Sequence, residues 1–310
     1  MVLALSCLLA ACGGGGNDTF DEVIDKTGHV RQSAAPNPSS PAPASFTTVT
    51  TATVRPMQVL VPAYFYPLPG SAWDQLALSA RAMPAVGIPA IVNPGNGPGR
   101  RVDAQYARAI AAFTQAGGKV IGYVSTRYGK GTPSLAKIRT HIDNYLAFYG
   151  RENISGFFID EMSDKTARLA FYREVYDYIK SLDAGLLVVG NPGTLPAAGY
   201  AEVADTLVTF EGQASAYARF NPQPGYEWVY GHDRGKQAML VHDAVGCTAM
   251  QASLSTASQE RNHTGWVYVT DLHYDYANNI GDPWANLPTY WDKMLGSVAA
   301  INAGHALPNC

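Results

Sequence analysis

The sequence predicts a (β/α)8 barrel, and three observations predict it. Eight short apolar runs recur between residues 59 and 271, stretches with 3.6-residue periodicity lie between them, and polar residues collect where the runs end. Eight strands alternating with helices over about 255 residues match such a barrel in both count and size. In chain order the candidate strands are 59–66, 89–93, 120–126, 156–161, 186–191, 207–211, 238–243 and 266–271. Helical spacing marks 103–116, 134–149, 165–181 and 285–300. Between residues 213 and 235, Pro222, Pro224, Gly225 and Gly231 interrupt any periodicity, and an irregular insertion over the barrel mouth is expected there.

The domain plan is residues 1–12 as a lipoprotein signal and lipobox, 13–55 as a disordered tether, and 56–310 as the barrel. Residues 2–11 form an apolar run ending Leu9-Ala10-Ala11-Cys12, which predicts cleavage before Cys12 and a lipid on its thiol. No Lys or Arg precedes this run, a departure that points to a start further upstream. The tether is rich in Gly, Pro, Ser and Thr and cannot bury enough surface to offset its ordering entropy. It would reach roughly 35–40 Å root-mean-square. The expected location is the bacterial cell envelope, lipid-anchored to a membrane and facing periplasm or exterior, with the protein acting as a monomer. In that oxidising compartment, Cys247 and Cys310 either pair or stay free.

The composition is that of an ordinary soluble domain: 47% hydrophobic, 15% charged, formal net charge −3. Mild acidity gives no footprint for nucleic acid. Asn93-Pro94-Gly95-Asn96-Gly97-Pro98-Gly99 is a tight turn, and with no Lys-Ser or Lys-Thr after it a phosphate loop is excluded. No Gly-x-Ser-x-Gly supplies a serine nucleophile. His242-Asp243 and Asp271-x-His273-x-Asp275 raise a metal-dependent deacetylase, but their spacing matches no such site, so no metal or other cofactor is expected. These residues are expected to bind substrate or to hydrogen-bond across the barrel mouth.

The chemistry sits in two strand ends. Ser155-Gly156-Phe157-Phe158-Ile159-Asp160-Glu161 reads as a strand buried on both faces that stops abruptly in two carboxylates. The run 206–210 likewise stops at Glu211. The C-terminal ends of barrel strands carry active sites, and two carboxyls are what glycoside hydrolysis needs. Asp160 and Glu161 could instead start the following helix, although Ser163 or Asp164 can do so; Glu211 could pair with Arg219. Neighbours on an extended strand point to opposite sides, which favours Asp160 over Glu161 as the more central acid. Around them Tyr64, Tyr66, Asn93, Tyr123, Thr126, Asn191, His242 and Asp271 are the candidate substrate-binding residues. Such a ring suits a hydroxyl-rich polysaccharide.

With those motifs in place, the chain resembles the spherulin-4-like family, grouped as glycoside hydrolase family 135. The matching residues are Pro62-x-Tyr64-x-Tyr66-Pro67, Asn93-Pro94-x-x-Gly97-Pro98-Gly99, Gly122-Tyr123-Val124-x-Thr126-x-Tyr128, Gly156-Phe157-Phe158-x-Asp160-Glu161, Asn191-Pro192-Gly193-Thr194, and Asp205 through Phe210-Glu211. The resemblance covers residues 59–212. It implies a (β/α)8 barrel that cleaves internal α-1,4-linked N-acetylgalactosamine bonds in a galactosamine-containing exopolysaccharide, with Asp160, Glu161 and Glu211 in the active groove. A polysaccharide-binding surface lipoprotein without catalysis is the alternative.

Overall fold

The computed structural model describes residues 55–223 and 225–310. The expected signal segment with Cys12, the tether up to residue 54, and Pro224 lie outside the described residues. Nine strands form one parallel sheet: β1 Gln58–Val59, β2 Val61–Ala63, β3 Pro89–Val92, β4 Lys119–Ser125, β5 Ile154–Asp160, β6 Leu187–Gly190, β7 Thr206–Gln213, β8 Gln237–His242 and β9 Trp266–Val269. β1 and β2 are two halves of one stave, separated only by Leu60. β1 pairs with β9 and β2 with β3, and the Leu60 N–H donates to Val267 O at 3.0 Å, so the ring closes as a (β/α)8 barrel. Closure leaves no open sheet edge.

All eight expected strands are present, with ends shifted by a few residues. The first stops at Ala63, leaving Tyr64 and Tyr66 in the loop beyond it, whereas β7 continues past Glu211 to Gln213. The helices are α1 Ala72–Ala82, α2 Ala104–Gln115, α3 Leu135–Tyr149, α4 Leu169–Leu182, α5 Ala214–Tyr217, α6 Cys247–Ser258 and α7 Trp291–Asn302. Asp103 caps α2 by accepting from the Gln105 N–H at 2.8 Å, and Ser134 caps α3 by accepting from Lys137 N–H at 3.3 Å. The last helix starts six residues later than its periodicity predicts. Pro288 biases Leu287 away from helical geometry, and Thr289 is held by Asp271 instead.

The segment after β7 is the second correction. Tyr217, Phe220 and Gly235 of this segment lie in the outer layer and toward the N-terminal ends of the strands rather than at the mouth. Tyr217 and Phe220 pack their rings on Phe210 at 4.8 and 5.5 Å, and Gly235 O accepts from Thr206 Oγ1 and Trp266 Nε1 near the N-terminal ends of β7 and β9.

Strand alternation sorts the core into two layers. Phe157 points outward onto Tyr145 of α3, while Phe158 points inward and stacks on Tyr123 at 6.3 Å. Gly122 must be glycine for the outer contact: a Cβ there would lie 2.7 Å from the Tyr145 ring. At the C-terminal end, Cys247 and Cys310 form a disulfide with Cα atoms 5.6 Å apart, resolving the open pairing. Gln251 Nε2 also donates to Pro308 O at 2.7 Å, fastening the tail to α6. No helix among the described residues is long and apolar enough to cross a membrane.

Candidate active site

β5, β6 and β7 each deliver one polar side chain to the C-terminal mouth. On β5, Phe158 faces inward, so Asp160 two residues later does too, and Ser125 of β4 pairs with it in register. Asn191 follows β6 directly, its N–H donating to Ile159 O at 2.8 Å. Glu211 reaches the mouth by a different route. Val208 pairs with Ala238 and Phe210 with Met239, so Thr209 is an extra residue, a bulge, in β7. Were Thr209 part of a regular ladder, the inward series from Val208 would continue to Phe210 and turn Glu211 outward. The bulge sends Phe210 out to the aromatic pair of the crossover and brings Glu211 in.

The three side chains form one hydrogen-bonded unit. Tyr123 OH donates to Asp160 Oδ2 at 2.6 Å. Asn191 Nδ2 donates to Asp160 Oδ1 and to Glu211 Oε2, each at 2.7 Å. Two such contacts from one nitrogen hold the facing carboxyl oxygens no more than 5.4 Å apart. Asn191 is buried, with its own Oδ1 accepting from the Gly193 N–H, which fixes which way the amide faces.

Electrostatics divides the two acids. Burial, then the charge of Asp160, pushes Glu211 up to about 7, against the single donor from Asn191. Burial raises Asp160 as well, but Tyr123, the Glu161 backbone and Asn191 all donate to it and favour its charged form. Three donors against one make Asp160 the carboxylate and Glu211 the proton carrier. Tyr123 and Tyr64, raised by burial and then by the charge of Asp160, stay protonated donors.

Glu161 lies just beyond β5 in the left-handed region, φ 50°, a strained conformation for a residue with a side chain. That turn lets it share the mouth with Asp160 despite strand alternation: Ser125 Oγ, from the same inward layer, donates to Glu161 Oε2. Ser125 was not singled out by the sequence, although its spacing of two from Tyr123 is the signal that would have found it.

The remaining candidates divide. Tyr64 sits edge-on to Tyr123, ring centroids 5.7 Å apart, beside the acids. Tyr66 is half exposed, its hydroxyl on Asp103 at 3.0 Å. Four others have polar atoms engaged by neighbouring groups of the protein. Thr126 is fully buried, its Oγ1 donating to Asp160 O and Glu161 O at 2.9 and 3.0 Å, so it braces the strand end from behind. Asn93 Oδ1 accepts from the Gly97 N–H at 2.9 Å within its own turn. Asp271 holds Thr289, accepting from its N–H at 3.2 Å and from its hydroxyl. His242 is 1% exposed with both ring nitrogens engaged, one by Asp243 at 2.5 Å and one by Tyr276 OH at 2.8 Å. Tyr276 is a mouth residue that the sequence reading missed. Among the described residues, no group of three His, Cys, Asp or Glu is placed to hold a metal ion.

Fold and site together define a parallel (β/α)8 barrel whose mouth presents a bridged pair of carboxyls. The chain belongs to Spherulation-specific family 4, whose pattern it matches over residues 58–298. It is 35% identical over 247 residues to Spherulin-4 of Physarum polycephalum, covering 74% of this chain and 68% of that one. Among solved structures it is similar to Aspergillus clavatus Sph3 in complex with GalNAc, with TM-score 0.64, 25% identity, and coverage of 80% of this chain and 98% of that one. The match extends past residue 212 and includes β8 and β9.

Proposed function

We propose that this protein is a glycoside hydrolase cleaving internal α-1,4-linked N-acetylgalactosamine bonds in a galactosamine-containing exopolysaccharide. The observation that carries the proposal is the Asn191 bridge, which holds a charged Asp160 and a protonatable Glu211 within 5.4 Å oxygen to oxygen. Carboxyls about 5–5.5 Å apart favour the retaining mechanism, since wider separations leave room for a water. The similarity to a structure holding GalNAc supports the sugar.

The reaction runs in two displacements. Asp160 attacks the anomeric carbon as Glu211 gives its proton to the leaving oxygen, and the glycosidic C–O bond breaks. Glu211, now charged, takes a proton from water, and the resulting hydroxide displaces Asp160 from the anomeric carbon. In an α-galactosaminide the 2-acetamido group lies cis to the leaving oxygen and cannot attack from behind, so an enzyme carboxylate is required for retention. Glu161, held by Ser125, would bind the substrate beside them. Anchoring through Cys12 at the cell envelope, and action as a monomer, belong to the same proposal.

The test is reducing-end release from α-1,4 N-acetylgalactosamine oligomers by the purified protein, alongside Asp160→Asn and Glu211→Gln. Cleavage by the wild type with a loss of about 10³-fold or more in each folded variant is expected. Binding without cleavage would favour a polysaccharide-binding protein instead.

A further inference from the structure

On the strand next to Glu211 is a group that the two displacements leave unused. On β8, Leu240 pairs with Glu211 and His242 with Gln213, so His242 stands one inward layer above Glu211. After β9 the chain makes a hairpin, β10 Tyr274–Asp275 and β11 Ile280–Gly281, and Tyr276 at its turn reaches back over His242. Edge-on packing of Tyr274 against Tyr276, 4.9 Å between centroids, and of Trp284 against His242, 6.1 Å, walls in the imidazole. Asp243, in the left-handed region at φ 57°, accepts from His242 Nδ1 on one oxygen and from His273 Nδ1 on the other.

The polarity of this chain follows from its fixed end. A carboxylate can only accept, so His242 Nδ1 carries a hydrogen. Burial keeps the ring neutral, with its pKa held below the usual value despite Asp243. Nε2 is then a bare acceptor, and the Tyr276 hydroxyl must donate into it. The lone pairs of that oxygen are left for the mouth, and Tyr276 is half exposed there. Its phenol is raised to about 12 by burial and next by the charge of Glu211, which places the two in one electrostatic neighbourhood.

We propose that Tyr276 is a substrate-positioning residue: its oxygen accepts a hydrogen bond from a hydroxyl or amide N–H of a sugar unit beside the scissile bond, with acceptor polarity set by Asp243 through His242. This rests on the glycosidase reading of the acids. It gives the site a far wall that selects for a donor on the sugar, while the near wall carries out the bond exchange.

Tyr276→Phe keeps the ring and deletes the oxygen. On α-1,4 N-acetylgalactosamine oligomers it should raise KM about 5- to 10-fold with kcat little changed, and lower the melting temperature because the buried His242 Nε2 loses its donor. His242→Phe should raise KM by the same factor, and the double variant no further, because both remove one interaction. An unchanged KM in Tyr276→Phe, or additive losses in the double variant, overturns the inference and leaves the hydrolase reading standing. If the wild type binds these oligomers without cutting, calorimetric Kd replaces KM: a 5- to 10-fold rise in Tyr276→Phe then supports the inference while the hydrolase reading falls. If the wild type neither cuts nor binds them, both fall.

Discussion

The two walls of the barrel mouth are built in opposite ways. The wall from β5 to β7 takes Asp160, Asn191 and Glu211 directly from strand ends, locked by hydrogen bonds to adjacent staves. The wall formed by β8 and the loop after β9 takes His242 and Asp243 from the end of β8 but His273 and Tyr276 from the loop, joined by side chains to one another. Strand ends inherit the precision of the sheet, whereas loop residues have only the contacts they make. Groups that exchange protons and bonds belong on the first kind of support, and groups that recognise belong on the second.

Removing the bridge tests the near wall most severely. Asn191→Ala should lower kcat/KM about 10²-fold, the cost of misplacing a catalytic group by about 1 Å. It should also move the alkaline limb of the pH profile upward. The wild-type limb is expected near 7, where Glu211, pushed up to about 7, loses the proton it must donate; Asn191 favours the charged form, so its loss raises Glu211 further.

The far wall should respond in stability instead. Cys247 opens α6, the helix that follows β8, and its bond to Cys310 spans a separation of 63 residues. Cys310→Ser should cost about 2–4 kcal/mol by denaturant unfolding while leaving the kcat of the folded enzyme within about twofold.

Least in size, and opposite in sign, is the effect of neutralising the near wall. Glu211 has a folded pKa of about 7 against an ordinary 4.5, so the folded state holds its proton more tightly than the unfolded chain. Stability is therefore lost as pH rises from about 4.5 to 7. Glu211→Gln should remove that loss, gaining about 1–3 kcal/mol at pH 8 and nothing at pH 4, read as melting temperature against pH.

The same division explains what could be read from the sequence. β5 was legible because an apolar run ending in Asp160 and Glu161 has no packing reason to do so, and Asn191 and Glu211 followed the same grammar. Thr126 misled because a strand-end hydroxyl looks alike whether it faces the mouth or, as here, turns back to the carbonyls of Asp160 and Glu161. Tyr276 was invisible because its meaning comes from His242, 34 positions away, and a hairpin turn has no periodicity to announce it. Residues 213–235 were seen to be irregular. Their path depended on Phe210 facing outward to receive Tyr217 and Phe220, which strand alternation alone cannot predict.

That outward Phe210 gives the protein a peculiar sensitivity to counting. Thr209 contributes no acid, yet its presence makes the distance from Val208 to Glu211 odd where alternation demands even. What restores the parity is the bulge, which absorbs Thr209 so that Phe210 pairs with Met239 and Glu211 with Leu240. Drawing Thr209 into a regular ladder would put phenylalanine at the reactive centre in place of glutamate, whereas deleting it would shorten the distance to an even one and leave Glu211 facing inward. The acid's position is therefore set by a local irregularity of the backbone, which a comparison of sequences by composition or motif alone would not register.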